Sequence, residues 1–281
     1  MERGAVLITG ASTGIGEATA RHLAGMGFQV FATVRREHDG AALAARSRNI
    51  HPVIMEVTDE PSITAAAEQV AGLTGARGLT GLVNNAGICV GGPLEFLPAE
   101  ELRRQLEVNV IGYHAVTRAF LPLIRQGRGR IVNITSMFGR VALPMVGPYN
   151  ASKFALEALS AALRMELKPW SIPVSVIGPG SILTPIWAKS IAAADHAMAE
   201  LPADARQLYG SMYAAVRKSQ DLLGRSGIPA DRVARTVARA LTARKPRPRY
   251  TVGLDARLAE WVRWLPTGVR ERLALAGLGI S

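Results

Sequence analysis

Tyr149 and Lys153 are two ionisable side chains four residues apart in the chain. Residues at positions i and i+4 of a helix lie on the same face, so the two side chains would be neighbours. An isolated tyrosine has a pKa of about 10 and is a poor base at neutral pH. A nearby ammonium group favours the phenolate and lowers that pKa. The pair could therefore act as a general acid and base, although an ordinary surface pair has the same spacing.

Ser136 is a second candidate for the same chemistry. It directly follows GRIVNIT (129–135), a β-branched run that predicts a strand. A hydroxyl at the carboxyl end of that strand could hydrogen-bond a reacting oxygen. The structural alternative is a serine that caps a helix or forms a turn.

A glycine-rich turn separates the first predicted strand, AVLIT (5–9), from a helix predicted over 15–26. The turn contains Gly10, Ser12, Thr13, Gly14, Ile15 and Gly16. Its glycines permit a tight turn, close approach of a pyrophosphate and close packing of helix on strand, and the helix N-terminus favours an anion. In this context of strand, turn and helix, the pattern predicts a dinucleotide cofactor.

The elements that would position these residues alternate along the first part of the chain. Further strands are predicted at QVFATV (29–34), PVIMEV (52–57), LTGLVNN (79–85) and IPVSVIG (172–178). Further helices are predicted near 39–46, 60–73, 99–125 and 149–168. Such nearly continuous apolar strands are typical of a parallel sheet with helices on both faces. The sequence therefore predicts an α/β fold, a single domain over 1–281 built on a Rossmann-type doubly wound sheet.

The alternation stops at residue 180, and the segment 181–228 is rich in large apolar side chains. We interpret this segment as a lid over a substrate site. A helix near 230–243 and a last strand, RYTVG (249–253), are predicted next. Residues 254–281 predict a helical extension with two amphipathic helices separated by Pro266. The apolar face of the first helix contains Leu258, Trp261, Val262 and Leu265.

Four motifs stand in order along the chain: T-G-x-x-x-G-I-G at 9–16, N-N-A-G at 84–87, Ser136, and Y-x-x-x-K at 149–153. Together they resemble the motifs of the short-chain dehydrogenase/reductase family, and the resemblance covers residues 4–187. RYTVGLDARL extends it, more weakly, to steroid- and retinol-dehydrogenase-like members. The resemblance implies an NAD(P)-dependent oxidoreductase that moves a hydride between nicotinamide and a carbon bearing a hydroxyl or a carbonyl.

The resemblance also implies roles for individual residues. Ser136 would polarise the substrate oxygen, Tyr149 would act as general acid and base, and Lys153 would bind the cofactor ribose and tune the tyrosine. With the oxidised nicotinamide, Lys153 would lower the pKa of Tyr149 by about two to three pKa units, or roughly 3–4 kcal/mol. Asn109, in LEVNVIG, matches the asparagine that supports a water-linked proton relay to the lysine. An inactive sensor or scaffold, the competing function, would ordinarily have lost one of the first three residues.

Further cofactor contacts are expected at the ends of the strands. They are predicted for Ala86, Gly87, Pro179, Gly180, Ile182 and Thr184, while Asn84 would fix the loops around the cofactor. The alternative for residues 84–87 is a plain turn that ends the strand. Glu56 and Val57 stand where many members of the family carry Asp-Val beside the adenine. Glu56 therefore departs from the usual pattern, and the longer acid would have to serve in its place.

We expect NADP(H) to be the preferred cofactor, with NAD(H) as the alternative. An acid at the end of the second strand usually accepts hydrogen bonds from the ribose hydroxyls, but Val34 occupies that place in this chain. Arg35 and Arg36 follow it, and two guanidiniums could grip a 2′-phosphate. The other interpretation is that both arginines are solvated residues that open a loop.

The predicted substrate is a lipophilic secondary alcohol or ketone, such as a steroid or retinoid. The lid would offer more apolar surface than a small polar substrate needs. Its large apolar side chains are Ile182, Leu183, Ile186, Trp187, Ile191, Met198, Leu201, Leu208, Tyr209, Met212 and Tyr213. The alternative is that many of these side chains simply pack against the sheet.

The formal net charge is +11, and from Arg225 onwards 12 Lys and Arg stand against 4 Asp and Glu. We interpret this basic segment as a solvated helical face. Nucleic-acid binding is disfavoured because aromatic residues make up only 5% of the chain and no nucleic-acid motif is found. Peripheral contact with a membrane is the alternative interpretation, and it would be compatible with catalysis.

Composition excludes several other classes of protein. Cys89 is the only cysteine, so no internal disulfide forms, and the five histidines show no metal-ligand spacing, so no metal is expected. We interpret Cys89 as a packing residue at the border of the substrate cleft. No apolar run is long enough to span a membrane and no signal peptide is found, which predicts a cytoplasmic location. The resemblance implies a homodimer or homotetramer built from the helices near 99–125 and 149–168.

Overall fold

The computed structural model describes residues 3–280, so that Met1, Glu2 and Ser281 of the predicted domain lie outside the described residues. The strands are β1 (Ala5–Ile8), β2 (Gln29–Val34), β3 (Ile50–Ile54), β4 (Gly81–Asn84), β5 (Arg130–Ile134), β6 (Val174–Pro179), β7 (Ile182–Leu183), β8 (Ile228–Pro229) and β9 (Arg249–Val252). The α-helices are α1 (Gly14–Gly25), α2 (Glu37–Ala44), α3 (Glu60–Thr74), α4 (Ala99–Leu106), α5 (Gly112–Gln126), α6 (Gly147–Glu166), α7 (Pro185–Glu200), α8 (Ala203–Ser226), α9 (Ala230–Thr242), α10 (Leu254–Val262) and α11 (Thr267–Gly277).

One parallel sheet, in the order β3-β2-β1-β4-β5-β6-β9, organises the described chain. In the centre, Leu7 of β1 pairs with Phe31 of β2 on one side and with Leu82 of β4 on the other. The strand order reverses between the two sides of β1, which is the mark of a doubly wound sheet. The predicted Rossmann-type α/β fold is therefore confirmed, and the last predicted strand pairs in parallel with β6.

Apolar side chains fill both faces of the sheet because successive residues of a strand point in opposite directions. On one face, Val6 and Ile8 belong to a buried cluster that also contains residues of α1 and α9. On the other face, Leu7 lies in a second cluster with residues of α3 and α5, including the fully buried Phe120. This double burial is the physical reason for the continuous apolar runs in the sequence.

Three elements differ from the sequence prediction. The third strand begins two residues earlier than predicted, at Ile50, and contains Pro52, which a sheet tolerates here because β3 is an edge strand. The helix predicted over 99–125 is interrupted by a π-helical turn at Glu107–Ile111. The helix predicted over 149–168 begins at Gly147, with Pro148 in its first turn, where a missing N–H costs nothing.

The predicted lid, 181–228, consists of α7 and α8, and the short parallel pair β7 and β8 closes its base. The extension at 254–281 contains the two helices expected on either side of Pro266. No helix within residues 3–280 is long and apolar enough to cross a membrane.

A chain of buried polar groups crosses the sheet directly behind the strand ends. Asn84 Nδ2 on β4 donates hydrogen bonds to Asn133 Oδ1 on β5 and to Thr117 Oγ1 on α5, each at 2.9 Å. Asn133 Nδ2 then donates to Ser160 Oγ on α6 at 2.8 Å. These bonds tie two strands to the helices on one face, close to the edge where the candidate residues lie.

We expect Asn133→Ala to lower the free energy of unfolding by about 2–3 kcal/mol, because it removes partners from Asn84 and Ser160 in a buried setting. Urea denaturation measures the change. Thr236→Ala is the control, since its hydroxyl makes one bond, to the carbonyl oxygen of Arg232, on an exposed helix face. A loss no larger in the first variant than in the control would show that the buried chain contributes little.

Candidate active site

The glycine-rich turn after β1 forms a cradle that larger residues would fill. Gly10 and Gly14 have φ angles of 63° and 62°, a left-handed conformation that favours glycine. A Cβ on Gly10 would lie 2.8 Å from Ala86 Cα, and one on Gly14 would lie 3.1 Å from Thr184 Cγ2. With the N-terminus of α1 behind it, this bare backbone fits the pyrophosphate of a dinucleotide.

Thr9 and Asn85 hold this turn against the end of β4. Thr9 Oγ1 accepts hydrogen bonds from the backbone N–H groups of Asn85 and Ala86, at 2.8 and 3.0 Å. Asn85 Nδ2 donates to the carbonyl oxygens of Thr9 and Gly10, at 2.9 and 3.0 Å. The sequence assigned the supporting role to Asn84, but the side chain that fixes the turn is that of Asn85. The paired asparagines of N-N-A-G were the only signal, and they did not show which of the two faces the turn.

A groove of about 690 Å³ runs along the carboxyl ends of the strands. It brings together most of the residues that the sequence predicted: Gly10, Ser12, Thr13, Gly14, Ile15, Arg35, Arg36, Glu56, Val57, Ala86, Gly87, Ser136, Tyr149, Lys153, Pro179, Gly180, Ile182 and Thr184. Three predicted residues, Gly16, Asn84 and Asn109, are not among its lining residues. Gly16 instead allows helix and strand to meet, because a Cβ there would lie 2.3 Å from the carbonyl oxygen of Gly10.

The end of the groove beside β2 is basic and polar. Val34, Arg35 and Arg36 line it, together with Asp39 and Glu56. Arg35 Nη1 lies 3.6 Å from Glu56 Oε2, and both side chains are exposed. Because exposed ion pairs are weak and easily exchanged, this pair leaves the guanidinium free to bind a phosphate.

Ser136, after β5, meets Tyr149 and Lys153 of α6 in the same groove. Ser136 Oγ caps the short helical turn that follows it and accepts a hydrogen bond from the Phe138 N–H at 3.2 Å. The side chains of Ser136 and Tyr149 are also hydrogen-bonded. Lys153 Nζ donates to the carbonyl oxygen of Ile134 at 3.0 Å and lies 5.6 Å from the centroid of the Tyr149 ring.

Burial controls the ionisation of both groups. It raises the pKa of Tyr149, while the hydrogen bond with Ser136 acts in the opposite direction. Burial also lowers the pKa of Lys153 to about 8, against the attraction of Cys89 and Glu157. The predicted lowering of the tyrosine pKa includes the charge of the oxidised nicotinamide and stays a prediction; in the protein alone, burial is the dominant influence. The side chain that this environment favours is a protonated phenol.

Asn109 lies in the π-helical turn and is fully buried. Its Nδ2 donates to the carbonyl oxygen of Ile88 at 3.0 Å and to Ser152 Oγ at 3.1 Å, and its Oδ1 accepts from the Ile88 N–H at 2.9 Å. The residue thus joins the segment after β4 to the helix that carries Tyr149 and Lys153. π-Helical turns are often found at functional sites, and the extra residue here sets the direction of this side chain.

An ion-pair cluster beneath the Ser136 turn was missed by the sequence analysis. Glu157, one turn after Lys153 on α6, accepts a hydrogen bond from Thr135 Oγ1 at 2.7 Å. It also pairs with Arg249 of β9, and with Arg140 at 3.3 Å. The i+4 spacing from Lys153 was the available signal, but the partners of Glu157 come from distant segments.

Two smaller cavities adjoin the groove under the lid. One, of about 460 Å³, is largely apolar, and it shares Arg104 with the groove. Its lining includes Cys89, Phe96, Leu97, Ala194, Met198 and Leu201. The other, of about 20 Å³, lies between Tyr149 and the lid residue Trp187, and it also touches Leu278 of the C-terminal segment. Burial raises the pKa of the Cys89 thiol to about 11, which agrees with packing and not with nucleophilic catalysis.

Asp255, at the start of α10, is a further residue that sequence reasoning did not find. Its Oδ2 accepts a hydrogen bond from the Ser181 N–H at 2.6 Å. A Cβ on Gly180 would lie 2.0 Å from Asp255 Oδ1, so glycine at this predicted cofactor residue leaves room for the carboxylate in its present position. The C-terminal extension is therefore attached directly to the edge of the groove.

Known proteins support the same assignment. Residues 4–195 match the family model described as short chain dehydrogenase. The chain is 38% identical over 259 residues to 3-amino-tetrahydro-pyrrolizinone reductase of Xenorhabdus hominickii, covering 92% of this chain and 89% of that protein. It is 37% identical over 275 residues to retinol dehydrogenase 16 of Mus musculus, and 37% identical over 273 residues to 17-beta-hydroxysteroid dehydrogenase type 6 of Homo sapiens. In both comparisons 95% of this chain and 86% of the relative are covered.

A solved structure also resembles the whole described fold. It is a short chain dehydrogenase from Burkholderia cenocepacia in complex with NADP, with a TM-score of 0.75 and 25% sequence identity, covering 97% of this chain and 98% of that one. The expected family is thereby confirmed. The chain belongs to the short chain dehydrogenase family, in its retinol- and steroid-dehydrogenase-like branch, and is an NAD(P)-dependent oxidoreductase acting on alcohols or ketones.

Proposed function

We propose that the protein interconverts a lipophilic secondary alcohol and its ketone, with Tyr149 as the proton donor and acceptor. The observation that carries this proposal is the meeting of Ser136, Tyr149 and Lys153 in the groove that begins at the glycine-rich turn. Proton transfer needs a donor whose protonation state suits the direction of reaction. The raised pKa of Tyr149 keeps its hydroxyl protonated at neutral pH, as reduction of a ketone requires.

The reaction divides between the cofactor and the chain. When bound, the nicotinamide supplies or accepts the hydride. In reduction, Tyr149 donates its proton to the substrate oxygen while the Ser136 hydroxyl hydrogen-bonds the same oxygen; in oxidation, Tyr149 takes the proton back. Lys153, held by the carbonyl oxygen of Ile134, keeps a positive charge close enough to favour the phenolate in that second direction.

We further propose that NADP(H) is preferred over NAD(H). The end of the groove beside β2 presents Arg35 and Arg36 and has Val34 where an acid would bind ribose hydroxyls. An acid there would repel a 2′-phosphate, whereas a guanidinium donates to it in a bidentate manner. Glu56 lies 3.6 Å from Arg35, and this weak exposed pair leaves the guanidinium available to the phosphate.

The proposed lipophilic substrate rests on the cavities under the lid. Apolar cavities of this kind suit lipophilic ligands, because the transfer of apolar surface from water into the protein is favourable. Only part of the apolar lid serves this purpose: Met198 and Leu201 line the larger cavity, whereas Leu183 and Leu208 are exposed. Tyr213 bonds Asp195 within the lid and so stabilises the lid itself.

We also propose a homodimer or homotetramer. The helices expected to form it carry large apolar side chains on their exposed surfaces, among them Ile111, Phe154 and Leu159. Removing such side chains from water would stabilise an assembly by roughly 25 cal/mol per Å² of apolar area buried.

We expect Tyr149→Phe to reduce kcat by about 100-fold or more, because it deletes the proton donor and leaves the ring in place. Steady-state assays give kcat, and fluorescence titration with NADPH should show nearly unchanged cofactor binding. Tyr250→Phe is the control, since its hydroxyl accepts a bond from Arg247 away from the groove. Turnover close to that of the unmodified enzyme in the first variant would contradict the role of Tyr149.

For the cofactor, kcat/KM with NADP(H) should exceed that with NAD(H) for one substrate. Arg35→Glu should lower the NADP(H) value alone, by about 10- to 100-fold, since a charge-assisted hydrogen bond contributes about 1.5–3 kcal/mol. Arg48→Glu makes the same change of charge at an exposed residue that does not line the groove, and should have little effect. Equal losses with both cofactors after Arg35→Glu would contradict phosphate recognition by this residue.

A panel of substrates tests the lipophilic preference independently. We expect steroid and retinoid alcohols or ketones to give higher kcat/KM than short polar hydroxy acids and sugars. Met198→Asn, which makes the larger cavity more polar, should reduce turnover of the lipophilic compounds and spare any small ones. Efficient turnover of small polar substrates alone would reject the proposal.

A further inference from the structure

Helix α10 presents its large apolar side chains to solvent. Leu254, Leu258 and Trp261 recur at intervals of four and three residues, so they share one face of the helix, and Leu265 follows in the turn after its end. Their exposed fractions are 81%, 65%, 77% and 39%. Trp264, beside them, is 74% exposed. We call these five residues the C-terminal apolar face.

The opposite side of α10 is anchored to the protein, so the outward direction of this face is fixed. Ala256 and Ala259 are buried and pack against Met137 and Phe138 of the turn that Ser136 caps. Glu260 pairs with Arg249 of β9. The helix thus places small and charged residues inward and large apolar residues outward, the reverse of a helix that covers a core.

The charge around this face limits what can cover it. Arg257 on α10 and Arg272 on α11 are exposed, and Arg263 Cζ lies 4.4 Å from the centroid of the Trp264 ring. Of the three acids in this segment, Asp255 and Glu260 are bonded on the inner side and only Glu271 is exposed, so the outward charge is mainly positive. A second copy would bring these like charges together, which disfavours self-association through this face. Exposed tryptophan and leucine flanked by arginine instead suit the boundary between anionic headgroups and acyl chains.

We propose that α10 and α11 bind the surface of a bilayer that contains anionic phospholipids, with the C-terminal apolar face inserted at the headgroup boundary. Contact is peripheral, because no helix within residues 3–280 could span the bilayer. The inner side of α10 touches Phe138, whose ring centroid lies 6.1 Å from that of Tyr149. Since a helix is about 10 Å across, the reacting groups lie close to the lipid.

Co-sedimentation with vesicles tests the proposal without any assay of turnover. The full chain should bind vesicles of phosphatidylcholine mixed with phosphatidylglycerol and bind phosphatidylcholine alone far more weakly, and added salt should reduce the binding. The double substitution Trp261→Ser with Trp264→Ser should weaken binding by about tenfold or more, equivalent to roughly 1.4 kcal/mol. Thermal melting checks that the variant remains folded.

Trp170→Ser is the matched control. Trp170 is also exposed, and Arg125 Cζ lies 4.6 Å from its ring centroid, but it belongs to a different surface. The proposal requires this variant to bind vesicles like the unmodified protein. Absence of binding to the anionic vesicles, or equal loss in both tryptophan variants, overturns it. Sedimentation velocity tests whether a second copy of the chain covers the face instead. If the double variant changes only the oligomeric state and not vesicle binding, a second copy covers the face and the proposal is wrong.

Discussion

The carboxyl ends of parallel strands must meet at one edge of their sheet, and the candidate site depends on that constraint. Gly10 follows β1, Glu56 follows β3, Ala86 follows β4 and Ser136 follows β5, yet all four line one groove. None of these residues lies close to another in sequence. The sheet in turn depends on the burial of apolar side chains on both of its faces, so the site is positioned by the hydrophobic core.

Burial shifts the pKa values of Tyr149 and Lys153 in opposite directions. It favours neutral Tyr149 and neutral Lys153, and it does so because a charged group loses solvation when it leaves water. Polar contacts limit this effect: Ser136 hydrogen-bonds the tyrosine, and the carbonyl oxygen of Ile134 accepts from the lysine. Tyr149 is therefore held as a neutral phenol, whereas the pKa of Lys153, about 8, is close enough to neutral for a bound charge to shift its protonation.

Local signals in the sequence were enough to predict the parallel sheet, the glycine-rich turn and the three residues at the centre of the site. The failures at the candidate site involve partners that are distant in the chain. The interruption of the helix at Asn109 follows from the requirement that its side chain reach Ile88 and Ser152, which no periodicity reveals. The role of Glu157 depends on Arg249, 92 residues later. The raised pKa of Tyr149 in the protein alone could not be inferred from its spacing to Lys153, because the depth of burial is a property of the fold.

The carboxylate of Asp255 occupies the space that a side chain on Gly180 would need. A larger residue at position 180 therefore requires a change at position 255, although 75 residues of chain separate them. A chimaera that takes a larger residue at position 180 from a relative has to take the relative's C-terminal segment as well. Diversification of the lid, which lies between the two positions, is free of this restriction, and new substrate ranges can arise there while the attachment of the extension is preserved.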